Sequence, residues 1–189
     1  MKEKKKNPFD ECPVYETEHF TYRLVNPDDA EDLFVCYSDT VTLEHMNNDN
    51  CPGKWRPASA DELKNAWQRD YELRHFLRWS IRDKETGKVI GTVEIAPLPW
   101  GRWFFGKEPP IGILRLDLLS AYEQETVFTE IIGLMGSELA SDFKVNQVIM
   151  KAPPDEPERV NALIANQFQL YELESFPYKH YYMKPIPIR

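Results

Sequence analysis

No stretch of this 189-residue chain approaches the ~18 consecutive apolar residues of a membrane-spanning helix. Cysteine is sparse: Cys12, Cys36 and Cys51 form an odd set with no C-x-x-C pair. The basic run Lys2 to Lys6 is not followed by an apolar segment, so it does not read as an export signal. Together these features point away from a disulfide framework and toward reduced thiols in a cytoplasmic setting. The four histidines, His19, His45, His75 and His180, show no metal-ligand spacing, so no metal site is expected. Basic charge is also in deficit, 23 Lys and Arg against 31 Asp and Glu for a net charge of −8. Neither nucleic acid nor an anionic membrane is therefore expected as the main partner.

What is present fits one soluble globular domain. Hydrophobic residues make up 42% and charged residues 29%, enough for a core that needs no staple. Residues 1–13 read as a disordered N-terminal tail, and 14–189 as a single domain.

The alternation of His19 to Val25 predicts a strand. Asn26-Pro27-Asp28-Asp29 then carries a helix start, with Ala30, Leu33, Phe34 and Tyr37 as its apolar stripe. Thr40 to Pro57 reads as irregular. Ser59 and Glu62 have the spacing of a capping box, and Leu63, Ala66, Trp67 and Tyr71 follow at helical intervals. Phe76 to Arg82 and Val89 to Ala96 predict a hairpin closed by a turn at Asp83 to Gly87. An aromatic-rich loop follows at Pro97 to Pro110. Its Trp100–Phe105 cluster is open to three readings: packing on its own domain, a homodimer contact, or a substrate wall.

Ile111 to Leu119 reads as a buried strand, and Phe128, Ile131, Ile132, Met135 and Leu139 recur at helical spacing behind it. Gly133 and Gly136 within that helix point to close helix–sheet packing. The join at Tyr122 to Thr126 is where a strand–loop–helix unit presents backbone N–H groups and the positive end of a helix dipole to an anion. It contains no glycine. A strand at Gln147 to Ala152, a helix opening at Pro157, and strands near Phe168 to Phe176 and Lys179 to Lys184 complete the order.

This order resembles that of the GNAT superfamily of N-acetyltransferases, nearest to the branch that acetylates ribosomal-protein N-termini and similar amines. Glu18 to Leu33 is similar to that branch's opening strand and helix, and Trp79 to Gly91 to its central hairpin. The resemblance spans roughly Val14 to Pro185. It implies an α+β fold with a mixed, mostly antiparallel sheet of about seven strands flanked by about four helices. It also implies acetyl-CoA as cosubstrate and a small-molecule or peptide amine as acceptor.

Aligned on Thr129-Glu130, the family's two glycine positions fall on Gln124 and Thr126. The resemblance therefore assigns coenzyme binding to Leu118, Leu119, Gln124, Glu125, Thr126, Val127 and Thr129. Glu123 and Glu125 work against it, because a like charge at ~4 Å costs ~1 kcal/mol in water and ~4 kcal/mol near a protein surface. The family's thiolate-acid tyrosine falls on Leu163.

For catalysis, Glu94 and Asp117 are carboxylates set in otherwise apolar strands, as base or amine-recognition groups, or else as members of a structural ion pair. Alternation puts Arg115 and Asp117 on one face, and Glu94 can lie across the hairpin from Arg115. Tyr171 is the candidate acid among several strand tyrosines, and His45 borders the expected acceptor site. An inactive module on the same scaffold, binding another small ligand or a protein partner, is the alternative to an enzyme.

Overall fold

The computed structural model describes residues 7–46, 56–64, 67–98, 111–171 and 179–187. The chain opens with a short strand β1 (Tyr15–Glu16) and β2 (Phe20–Leu24). Asn26 then caps a 3-10 turn at Pro27–Asp29: its side chain accepts from the Asp28 N–H, and the Asp29 carboxylate returns to the Asn26 N–H in a capping box. The turn leads into α1 (Ala30–Cys36), as the sequence predicts.

Next comes a short helix α2 (Thr40–His45), in a segment expected to be irregular. The Asp39 side chain accepts from the N–H groups of Val41 and Thr42 and so nucleates it. At six residues it is too short to leave a periodic signal. The helix expected over Leu63 to Tyr71 is divided into α3 (Ala60–Leu63) and α4 (Gln68–Glu72).

The hairpin of β3 (Leu77–Asp83) and β4 (Val89–Leu98) follows, and then β5 (Ile111–Leu118). Helix α5 (Glu125–Leu134) runs on through a π-helical turn at Met135–Leu139 into α6 (Ala140–Asp142). The remainder is β6 (Gln147–Lys151), α7 (Pro157–Ala165), β7 (Gln169–Tyr171) and β8 (Tyr181–Pro185).

All eight strands form one sheet in the order β1-β2-β3-β4-β5-β6-β8-β7, and the β5–β6 pair is parallel while the others are antiparallel. The strand beyond the expected seven is β1, whose two residues are too few to show alternation.

One face of the sheet carries the main core. Trp79, Val93, Leu114, Leu116 and Leu118 pack there with Phe128, Ile131 and Ile132 of α5 and Ala162 and Leu163 of α7. The opposite face holds a smaller cluster around Leu33 of α1 and Tyr37 just after it, with Val25, Leu63 and Val89. The segment expected as tail reaches the core: Phe9 is buried against Tyr71 and Phe143, a long-range contact that no local pattern signals.

Glycines hold two close approaches. A Cβ on Gly91 would lie 2.1 Å from the backbone oxygen of Asp117, so β4 passes β5 at van der Waals contact there. In the long helix, a Cβ on Gly136 would meet the ring of Phe168, the residue before β7, at 2.9 Å, and Lys184 of β8 at 3.4 Å. The Trp100–Phe105 cluster lies outside the described residues.

Candidate active site

The strand–loop–helix unit of β5 and α5 folds through local hydrogen bonds. Tyr122, Glu123 and Gln124 donate their N–H groups to the carbonyls of Leu119, Ser120 and Tyr122. The N–H of Gln124, at one of the two glycine-equivalent positions, is therefore already used. Thr126 stands in the first turn of α5, where no side chain caps the helix. The N–H groups of Glu125, Thr126 and Val127 thus point out of the helix end without intrahelical acceptors, beside the positive pole of a ten-residue helix. The Thr129 hydroxyl donates to the Glu125 carbonyl at 2.7 Å.

The two carboxylates expected to repel an anion are both turned to protein partners. Glu123 Oε2 is 2.6 Å from His45 Nδ1, and Glu125 Oε2 accepts from Asn161 Nδ2 at 3.0 Å. Burial alone would lower the His45 pKa, but the hydrogen bond and charge of Glu123 outweigh it and raise the value above 6.5. Helix α2 is stitched to the same loop at two further points. Ser120 Oγ donates to Asp39 at 2.5 Å, and Thr42 Oγ1 to the Leu118 carbonyl at 2.8 Å.

Next to the loop, β5 and β6 part. Their ladder runs from Gly112↔Val148 to Leu114↔Met150, while β5 continues to Leu118 against β4. Arg159, from the first turn of α7, enters this gap and is only 1% exposed. Its Nη1 donates to the Leu116 carbonyl at 2.9 Å, its Nε to Glu156 at 2.6 Å, and its guanidinium lies 4.7 Å from the Phe128 ring centroid. Burial raises the Glu156 pKa, against the pull of Arg159 and His45.

On the opposite face, Glu94 and Asp117 come together through Arg78. Glu94 is fully buried. Arg78 Nη2 donates to its Oε2 in a short hydrogen bond, and Arg115 Nη1 to its Oε1 at 2.7 Å. The register does pair Glu94 with Arg115. Asp117 Oδ2 accepts from the Tyr37 hydroxyl at 2.9 Å and lies 3.4 Å from Arg78 Nη1. Thr92 Oγ1 is 2.9 Å from the Tyr37 hydroxyl and accepts from Arg78 at 3.0 Å. Burial, first, and the charge of Asp117 push the Tyr37 pKa far up, so this phenol keeps its proton. Asp117 Oδ1 is buried with no hydrogen-bond partner among the described residues.

Both oxygens of Glu94 are bound by guanidinium groups, whereas Asp117 keeps one oxygen without a hydrogen-bond partner among the described residues. Tyr171 is not brought to this cluster. It sits on β7, with β8 and β6 between it and β5, so it lies roughly 14 Å across the sheet at ~4.8 Å per strand. Sequence order alone suggested it, because β7 follows α7 directly; the sheet instead places β7 outside β8. Reading the sequence also passed over Arg78 and Arg159. Arg78 left a signal, a charge inside an apolar strand, as Glu94 and Asp117 did. Arg159 left only a Glu–Arg pair three residues apart.

The sequence model of the GNAT acetyltransferase domain matches residues 19–169. The chain belongs to that family. An uncharacterised N-acetyltransferase of Bacillus subtilis (strain 168), YoaA, is 26% identical over 81 residues, which is 43% of this chain and 44% of that protein. The match therefore spans less than half the length of that relative. Among solved structures, the ribosomal-protein-S5-alanine acetyltransferase of Vibrio fischeri superposes with a TM-score of 0.62 at 15% identity, covering 92% of this chain and 96% of its own. The aminoglycoside acetyltransferase AAC(6')-Ib, in complex with ribostamycin and coenzyme A, gives a TM-score of 0.68 at 12% identity, over 89% of this chain and 94% of its own. Likeness at that identity is likeness of fold: a mixed sheet with helices on both faces.

Proposed function

We propose that this chain is an N-acetyltransferase that moves an acetyl group from acetyl-CoA to a primary amine, in the cytoplasm. The observation that carries the reading is the conjunction, in one strand–loop–helix unit, of three outward N–H groups at the start of α5 with a β5 edge that β6 leaves unpaired beyond Leu114. A diphosphate fits the helix end without glycine, because the donors come from Glu125, Thr126 and Val127, and both nearby carboxylates are held by His45 and Asn161. The unpaired edge fits an extended amide-bearing chain.

Bound there, acetyl-CoA supplies an activated thioester. The chain's own residues do the rest. Helix α5 holds the anionic end, and Asp117 Oδ1, the buried acceptor with no partner among the described residues, receives the amine and its proton. Tyr37 and Arg78 hold Asp117 in place from the other oxygen. The acceptor is a small-molecule or peptide amine; the aminoglycoside in AAC(6')-Ib and the ribosomal protein of the Vibrio fischeri enzyme mark the range. The aromatic cluster at Trp100–Phe105 is retained as the proposed homodimer contact, on the strength of its composition.

One observation favours the alternative of an inactive scaffold. The Leu116 and Leu118 carbonyls of the unpaired edge already accept from Arg159 and Thr42. Calorimetric titration with acetyl-CoA at neutral pH and moderate salt separates the two. Micromolar binding, followed by amine-dependent thiol release over a panel of peptide N-termini and aminoglycosides, is the expected result. No heat up to a millimolar would overturn the enzyme reading in favour of the scaffold.

A further inference from the structure

The most exceptional group in the gap between β5 and β6 is the guanidinium of Arg159. Its Nε is bound to Glu156 and its Nη1 to the Leu116 carbonyl. Nη2 is buried with no partner among the described residues. A charged donor hidden from water and left unsatisfied is costly, and native structures keep such groups where something else completes them. The Leu116 bond fixes where that is. It anchors the guanidinium on the stretch of β5 that β6 does not cover, and the Phe128 ring supports its face from α5. The guanidinium therefore lies between the uncovered stretch of β5 and the first turns of α5.

Resting on the acetyl-CoA reading above, we propose that Arg159 Nη2 is the donor that receives the thioester carbonyl oxygen of the acyl donor, making Arg159 a binding and catalytic residue. The rest of the constellation suits that role. Glu156 holds the guanidinium from its other side, so the fork cannot rotate away when an acceptor arrives. Placed on the carbonyl, the cation draws electron density from the carbon that the amine attacks, and stabilises the charge that develops on oxygen as the C–N bond forms and the C–S bond breaks. The proton leaves the amine for Asp117, and the electron pair of the broken bond leaves with the thiolate.

The test uses two ligands that differ in that oxygen alone. Acetyl-CoA carries the carbonyl, whereas S-ethyl-CoA has a methylene in its place. Titrated calorimetrically into the full-length protein, acetyl-CoA is expected to bind about tenfold tighter or more, the worth of one charge-assisted hydrogen bond. In Arg159→Met, checked for folding by thermal unfolding, the two affinities should converge to within about twofold. Arg159→Lys, which keeps the charge and loses the planar fork, replaces it if the Met variant does not fold. Equal affinities in the natural chain overturn the proposal, as does an undiminished preference in a folded variant. Tighter acetyl-CoA binding by Arg159→Met would also overturn it, showing the side chain to be a plug. If neither ligand binds, the acetyl-CoA reading itself fails; if both bind alike, only the role of Arg159 does.

Discussion

Arg78 and Arg159 are both buried guanidinium groups, on opposite faces of one sheet, and they are satisfied to different degrees. Arg78 has Glu94 and Asp117 as carboxylate partners, two hydroxyls in Tyr37 and Thr92, and the Trp67 ring 4.6 Å away. Arg159 has one carboxylate and one backbone carbonyl, and its Nη2 has no partner among the described residues. In the Arg78 cluster an acceptor, Asp117 Oδ1, and a donor, Arg78 Nε, lack hydrogen-bond partners among the described residues, and in the Arg159 cluster a donor alone, Nη2, does. A cation that brings a proton suits the first, and a carbonyl or anionic oxygen suits the second. That pairing is what the proposed acyl transfer to an amine rests on.

The largest effect should come from Arg78→Met. It strands Glu94 and Asp117 as buried charges without their shared partner, and should cost about 3–5 kcal/mol by urea unfolding, with activity lost as well. A variant that unfolds within about 1 kcal/mol of the natural chain would dissolve the distinction between the two faces.

Asp117→Asn is next. It keeps the shape and the Tyr37 hydrogen bond while removing the base. Amine-dependent thiol release should fall about 10²- to 10⁴-fold with little change in CoA affinity. Loss of CoA binding instead would place Asp117 on the coenzyme's side.

Removing the loop charges together, Glu123→Gln with Glu125→Gly, should tighten CoA by less than about tenfold, because their partners already hold both carboxylates. CoA binding that appears only in this variant would mean that the charges keep the coenzyme out of the natural chain.

The smallest effect concerns pH. His45 has its folded pKa raised by Glu123, so the stability from this pair is complete below about 6.5. It is lost as pH rises through the folded value. At one-third exposure of the His45 side chain the loss stays below about 1 kcal/mol. A shift in melting temperature across that window, absent in His45→Gln, would register it.

Much of the framework was legible because it is encoded over short spans. The Asn26 cap, the hairpin turn at Asp83 to Gly87 and the switch from strand to helix between Leu118 and Phe128 depend on neighbours within a few residues. The Glu94–Arg115 pairing followed from alternation once the strands were antiparallel neighbours. Phe9, α2 and Arg159 were not legible for the opposite reason: one aromatic, one six-residue helix and one charge carry no period.

Local sequence by itself determined the family and the order of the longer elements, since repeated apolar positions and caps act within a turn or along a strand. Tertiary structure decided which carboxylates are available. His45 reaches Glu123 across 78 residues, Tyr37 reaches Asp117 across 80, and Arg159 reaches the Leu116 carbonyl across 43. These contacts give Glu123 a partner, leave one oxygen of Asp117 without one among the described residues and put a guanidinium beside the uncovered stretch of β5, while the sheet carries Tyr171 to its far edge. Burial and pairing set what an ionisable group can do, and both come from residues that only the folded chain brings together.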